Sequence, residues 1–323
     1  MDRLMTQDDT LKGAGKTKPR GGRRMKRGEV APGSAWALVT GAGSGIGRCY
    51  ALRLAALGYR LVIVGNNAAP LEAVAEEIRT AAKTADRLPA AEAAQQETAQ
   101  QETTRTDAKT SAACEVRILA MDLARPEAAQ ELYDRTTAEG IGIDVLVNNA
   151  GIFSFCDILA TPAERIERII LLHDLTVTQL CRLYAADMVR RGVRGHILNM
   201  SSYSLWMPFP GLALYSASKA YMRSFSVAFA KEVRERGIRV TAVCPAGVAT
   251  DLYGLTPYWQ GIGKKLRVLI TPDSCARRGL RALWRGRRCI VPDWWNRAWI
   301  PFCKLLPMWV LRPLRRFTMR FQK

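Results

Sequence analysis

Thr40-Gly41-Ala42-Gly43-Ser44-Gly45-Ile46-Gly47 is the stretch on which the fold turns. It follows a short apolar run, Ala35–Val39, and opens a helical stretch that ends near Leu57 and Gly58. Glycines at 41, 45 and 47 let the backbone turn tightly and come close to a pyrophosphate. The helix that starts there offers unpaired N–H groups and the positive end of its dipole. The spacing is G-x-x-x-G-x-G rather than G-x-G-x-x-G, so the strand-turn-helix setting carries the reading more than the glycines do.

Working outward, apolar runs and helical periods alternate. Leu61–Val64 reads as a second strand, Val116–Ala120 as a third, Val145–Val147 as a fourth, His196–Met200 as a fifth and Arg239–Val243 as a sixth, with Arg288–Val291 a candidate seventh. Between them lie a helical pattern over Leu71–Lys83 and a long one over Tyr215–Arg236, closed by Gly237. Strands alternating with helices predict an α/β domain with a doubly wound parallel sheet, Rossmann-like, of about seven strands. Its expected limits are 34–255. Residues 84–113, dominated by Ala, Gln, Thr and Glu, read as a low-complexity insertion that buries too little to order itself.

The chain has 323 residues, is 48% hydrophobic and carries a formal charge of +19. That charge sits at the ends. Residues 1–30 hold nine Lys/Arg against four Asp/Glu, residues 252–323 hold sixteen against two, and the middle is balanced. Residues 1–33 read as a disordered basic tail without the apolar region of a signal peptide. Residues 256–323 read as a substrate lid and a basic, amphipathic, aromatic extension holding six of the eight tryptophans, a composition suited to an anionic membrane surface. A helix packed on the sheet, a subunit interface and nucleic acid are the competing readings, with nucleic acid ranked last for want of a matching motif. No run is long enough to span a bilayer. The eight cysteines are scattered, so neither a metal site nor a disulfide framework is expected. The expected setting is cytoplasmic or membrane-peripheral.

Two further constellations carry chemistry. Asn148-Asn149-Ala150-Gly151 ends the fourth strand, where ligands of parallel sheets bind. Tyr215 and Lys219 stand four apart on one helix face, thirteen residues after Ser202 at a strand end. A nearby ammonium is expected to lower the phenol's pKa and make Tyr215 a general acid/base. Ser202 can donate to a substrate oxygen.

With these residues in hand, the sequence resembles the short-chain dehydrogenase/reductase family over roughly 35–255. TGAGSGIG at 40–47, Asp122-Leu123, NNAG at 148–151, Ser202, YSASK at 215–219, and Cys244-Pro245 followed by Thr250 occur in family order. The resemblance implies a nicotinamide dinucleotide and hydride transfer between it and a ketone or secondary alcohol. It implies that Tyr215 transfers the proton, that Ser202 orients the oxygen and that Lys219 serves both Tyr215 and the nicotinamide ribose. The cofactor would meet Thr40, Gly41, Ser44, Gly45, Ile46 and Gly47, with Asp122 and Leu123 at the adenine and Asn148, Ala150 and Gly151 along the channel. Pro245, Val248 and Thr250 would cradle the carboxamide. Two departures stand out. The helical Asn of the family's proton relay is replaced by His173, a candidate relay member or a plain helix histidine. Pro-Gly after the sixth strand reads Pro245-Ala246-Gly247.

NAD-binding members of this fold place an acid after the second strand. Here Gly65-Asn66-Asn67 follows, so NADP(H) is expected over NAD(H), with Asn66 donating to the 2′-phosphate and Arg48 nearby. The loop from Tyr203 to Leu212 and the segment from Asp251 to Leu255 are apolar and aromatic, which suits a lipophilic substrate. The composition is similar to that of relatives acting on 3-oxoacyl, 3-ketosphinganine or steroid ketones. A homo-oligomer is expected. A non-catalytic NADP-binding sensor or scaffold is the alternative, supported only by His173 and Ala246.

Overall fold

The computed structural model describes residues 34–87, 115–207, 209–249 and 269–293, with positions 261, 296–298 and 300. The basic tail, residues 88–113 of the insertion, Thr250 and most of the C-terminal extension lie outside the described residues.

Strands β1 (Trp36–Thr40), β2 (Arg60–Gly65), β3 (Val116–Ala120), β4 (Ile143–Asn148), β5 (His196–Met200) and β6 (Arg239–Val243) follow the apolar runs. Two short strands, β7 (Gly247–Val248) and β8 (Leu269–Ile270), pair with each other, and β9 (Cys289–Ile290) closes the main sheet. That sheet is parallel throughout, in the order β3-β2-β1-β4-β5-β6-β9. Its connections diverge between β1 and β4, which leaves a crevice above their carboxyl ends.

The helices are α1 (Gly45–Ala56), α2 (Ala68–Arg87), α3 (Ala128–Ala138), α4 (Ala163–Ile170), α5 (Val177–Arg190), α6 (Ala213–Glu232) and α7 (Pro272–Trp284). A π-helical turn, Leu171–Thr176, joins α4 to α5. Neighbouring strand residues point to opposite faces, so Leu38, Val62 and Leu146 pack one core with Leu180, Tyr184 and Met222. Val39, Leu61 and Val147 pack the other with Leu54, Leu71, Leu280 and Leu283.

The expected boundary at 255 does not divide the fold. α7 packs on α1, and Gly279 permits it: a Cβ there would stand 2.2 Å from the Tyr50 hydroxyl. Residues 272–290 therefore complete the sheet and its cover. The long helix ends at Glu232, four residues before the expected Arg236, because Val233 to Gly237 turn back through Gly237 at φ +84°.

Candidate active site

The crevice encloses about 600 Å³ and is bordered by Gly41, Ser44, Gly45 and Ile46 on one side and by Ser202, Tyr215, Lys219, Pro245 and Val248 on another. Gly41 and Gly45 take φ of +64° and +54°. Gly47 is needed for space, because a Cβ there would lie 2.0 Å from the Gly41 carbonyl oxygen and 2.5 Å from Asn149 Nδ2. Ser44, at the N-cap of α1, makes no side-chain cap and the first turn holds no acid. The N-terminus of α1 thus faces the crevice with neither a cap nor a carboxylate, a cradle that fits a dinucleotide's phosphates.

Thr40 acts as a stitch. Its Oγ1 accepts from the backbone N–H groups of Asn149 and Ala150, both at 3.0 Å, while Asn149 Nδ2 donates to the carbonyls of Thr40 and Gly41. The two strand ends flanking the crevice are thereby locked together. Asn148 differs from expectation. It is buried and donates to Asn199 Oδ1 at 2.8 Å, beneath the crevice rather than along it. Strand alternation turns it into the core, and Asn149, which sequence reasoning passed over, takes the crevice position.

Asp122 and Leu123 follow β3 but do not border the crevice. The Asp122 carboxylate accepts from Ala124 N–H at 2.9 Å and pairs with Arg168 at 3.0 Å. Burial opposes its charge, but these contacts prevail and hold its pKa below the usual value. Leu123 is buried, and its carbonyl accepts from the Thr176 hydroxyl. Asn66 is exposed after β2. Arg48 borders the crevice with its guanidinium on Glu77.

Tyr215, Ser202 and Lys219 converge. Ser202 lies two residues past the end of β5 and Tyr215 lies in the first turn of α6, so both meet at the carboxyl edge of the sheet. The Ser202 side chain acts on the Tyr215 phenol and favours its ionised form. Lys219, one turn on, donates from Nζ to the Met200 carbonyl at 3.0 Å and lies 5.7 Å from the Tyr215 ring centroid. The expected lowering of the phenol's pKa is corrected. Burial pushes Tyr215 up to about 12, with Ser202 offsetting only part of this. Lys219 is itself buried and is pulled down to about 8, with the Asp174 carboxylate acting the other way. The ammonium is anchored on a carbonyl over the ring rather than on the phenol oxygen, so burial prevails at Tyr215.

His173 lies in the π-helical turn, fully buried. Its Nε2 accepts from the Ile152 backbone N–H at 3.0 Å and its Nδ1 meets Ser218 Oγ at 2.9 Å. Pro245 borders the crevice, and its carbonyl accepts from Tyr203 N–H. Phe153 borders the crevice and meets Tyr215 edge-on with centroids 5.1 Å apart, and Phe155, two residues on, stacks on Phe209.

These features are those of a nicotinamide-dependent oxidoreductase fold, and comparison with known proteins agrees. The family model for short chain dehydrogenases matches residues 35–110 and 81–260. The chain belongs to the short-chain dehydrogenase family. A very-long-chain 3-oxoacyl-CoA reductase of Anas platyrhynchos is 33% identical over 233 residues, 70% of this chain and 64% of that protein. The 17-beta-hydroxysteroid dehydrogenase type 3 of Mus musculus is 31% identical over 222 residues, 67% of this chain and 61% of that protein. A short-chain dehydrogenase from Sphingobium yanoikuyae, solved in complex with NADPH, is 28% identical with a TM-score of 0.63, covering 80% of this chain and 88% of that one. The chain spans between 32% and 64% of the length of such curated relatives.

Proposed function

We propose that the protein reduces the ketone of a lipophilic substrate, a long acyl chain or a steroid-like skeleton, with NADPH. The observation that carries this reading is the meeting of Ser202, Tyr215 and Lys219 across the crevice from the glycine-rich turn. A reduced nicotinamide bound in the crevice supplies hydride to the carbonyl carbon. Ser202 and Tyr215 donate hydrogen bonds to the carbonyl oxygen, where negative charge grows. Tyr215, protonated throughout the neutral range because burial holds it near 12, then gives that oxygen its proton. Lys219 stabilises the phenolate left behind and binds the ribose.

The absence of an acid after β2 supports NADPH over NADH, with Asn66 at the 2′-phosphate. The Glu77 carboxylate on Arg48 makes that arginine the weaker candidate. Phe153, Phe155 and Phe209, together with the substrates named for the two relatives above, support the lipophilic class. Exposed Ile170, Leu175 and Tyr221, on α4, the π-helical turn and α6, support assembly of copies through the long helices. The basic aromatic C-terminal segment supports residence at a membrane surface. Among the described residues no helix is long and apolar enough to cross a membrane.

The test is NADPH oxidation against a panel of 3-oxoacyl and steroid ketones, with NADH as the comparison. Turnover of these and not of small polar ketones is the expected result. Tight NADPH binding with no turnover of any ketone would overturn the reading in favour of a nucleotide sensor.

A further inference from the structure

A second concavity lies between α1 and α7, away from the crevice. Both helices begin beside the crevice, at Gly45 and Pro272, and run away from it. Leu57 lies twelve residues past Gly45, roughly 18 Å along the axis at 1.5 Å per residue. The groove encloses about 390 Å³ between Arg53 and Leu57 on one side and Arg277, Leu280, Arg281, Trp284 and Arg285 on the other.

Arg277, Arg281 and Arg285 recur every four residues and form one stripe. All three are exposed, and none has an ion-pair partner among the described residues. The acid at the head of α7, Asp273, is already bound to Arg53 at 2.5 Å. The dipole of α7 favours a cation in its last turn, which accounts for the end of the stripe but not for its reach two turns back. Like charges four apart repel, so the stripe costs stability in the free protein.

Beside it, Leu57 is 48% exposed. Trp284 is already packed, stacked on Tyr59 with centroids 6.2 Å apart and against His196 at 4.6 Å. A groove for single-stranded nucleic acid stacks bases on open aromatic faces; the aromatic here is committed to the protein. Guanidinium groups flanking an exposed leucine match phosphate headgroups lying over acyl chains.

We propose that the α1–α7 groove docks the protein on an anionic phospholipid surface, with lipid phosphates on Arg277, Arg281 and Arg285 and Leu57 entering the acyl boundary. This builds on the reading of a lipophilic substrate at a membrane, and adds to the C-terminal segment a site formed by the folded domain. The crevice, at the other end of both helices, stays open to the cofactor.

The test uses the full chain with sedimenting vesicles of phosphatidylcholine, alone or mixed with phosphatidylserine. The wild type should bind only the anionic vesicles, and added salt should weaken it. Arg277→Gln/Arg281→Gln/Arg285→Gln should partition about a hundredfold less, since each of the three arginines near an anionic leaflet contributes roughly a fivefold factor. Its near-UV circular dichroism should match the wild type, and so should its NADPH oxidation with a steroid ketone supplied in solution without vesicles. If that variant binds as the wild type does, while Arg312→Gln/Arg315→Gln/Arg316→Gln does not bind, the groove assignment is overturned and the C-terminal reading stands. Binding of duplex DNA without binding of vesicles would overturn it as well. Vesicle binding lost in the groove variant, with no ketone turned over by any form, would uphold docking and sink the reductase reading alone.

Discussion

His173 Nδ1 lies 2.9 Å from Ser218 Oγ, joining the π-helical turn to the helix that carries Tyr215 and Lys219. The direction of every bond in this chain is fixed. Ile152 donates its backbone N–H to Nε2, so that nitrogen holds no proton. Nδ1 therefore carries the hydrogen and gives it to Ser218, whose own hydroxyl donates to the Tyr215 carbonyl at 3.0 Å. His173 is thus a neutral clamp between the segment after β4 and the start of α6. Burial, reinforced by Lys219, holds its pKa well below the ordinary 6.5.

A neutral clamp has a pH signature. The unfolded chain takes up a proton at His173 near its ordinary pKa of 6.5, while the folded chain refuses it. Stability from this site is complete above that pH and is lost as pH falls below it. His173→Asn, which can still accept from Ile152 and donate to Ser218, should keep most of the turnover and show a shallower loss of stability between about pH 7 and pH 5. His173→Ala leaves Ile152 N–H unpaired and should cost roughly 1–3 kcal/mol. Denaturant unfolding at the two pH values decides it: an unchanged slope in the Asn variant excludes a neutral His173. His196, pulled to about 4 by burial, adds the same sign of slope to every form and so cancels in the comparison.

The catalytic pair should separate in its pH behaviour. Tyr215→Phe removes the proton donor and should lower kcat by about 10²–10⁴ while leaving NADPH affinity within a small factor. The Lys219 ammonium is lost as pH rises through about 8, so the reduction rate should fall above that point although Tyr215 still holds its proton. Lys219→Met should lower the plateau and abolish the descending limb. A wild-type rate that stays flat well into the alkaline range would remove the lysine's charge from the reaction.

What was legible in the sequence follows from where each signal resides. The glycine turn and six strands were readable because local sequence dictates them: glycines at positive φ, and largely apolar runs, buried on both faces in all but the edge strand β3. The seventh strand is only Cys289–Ile290, and it is held by its pairing with Ala242 and Val243 rather than by its own pattern. α7 was hidden among the basic residues around it. Its outer face carries the arginines, its inner face needs Gly279 against Tyr50, and Trp284 looked interfacial although Tyr59 covers it. The split between Asn148 and Asn149 depends on which way the last strand residue points. The roles of Ile152 and Ser218 arise only when the π-helical turn meets α6, and no periodicity announces that contact.

Gly47 provides a steric test of the cradle. Its missing Cβ would lie 2.0 Å from the Gly41 carbonyl oxygen, which is backbone and cannot swing aside. Gly47→Ala should weaken NADPH binding by at least about tenfold, near 1.4 kcal/mol, by opening the turn. Gly140→Ala is the contrasting substitution: φ is +68° but no atom lies within 4 Å of the new carbon. It should cost stability and spare the cofactor. Fluorescence titration of NADPH separates them, and equal affinities would mean that the turn does not hold the phosphates.

Asp174 carries the last test, because its geometry and its charge conflict. Its Oδ1 is buried without a hydrogen-bond partner, and burial pushes the carboxyl up to about 6, with Lys219 acting the other way. The folded chain therefore holds this proton to a higher pH than the unfolded chain, whose carboxyl titrates at 3.8. Ionisation opposes folding, so the penalty is complete above about 6 and vanishes below the unfolded pKa. Asp174→Asn should stabilise the cofactor-free protein at neutral pH and match the wild type in acid. The same substitution removes a negative charge acting on Lys219, so the alkaline fall in rate should begin at a lower pH. Thermal unfolding across pH reads the first effect and the pH–rate profile the second. If the stability gain appears while the alkaline limb stays in place, the carboxylate is a strained passenger beside Lys219 rather than its counter-charge.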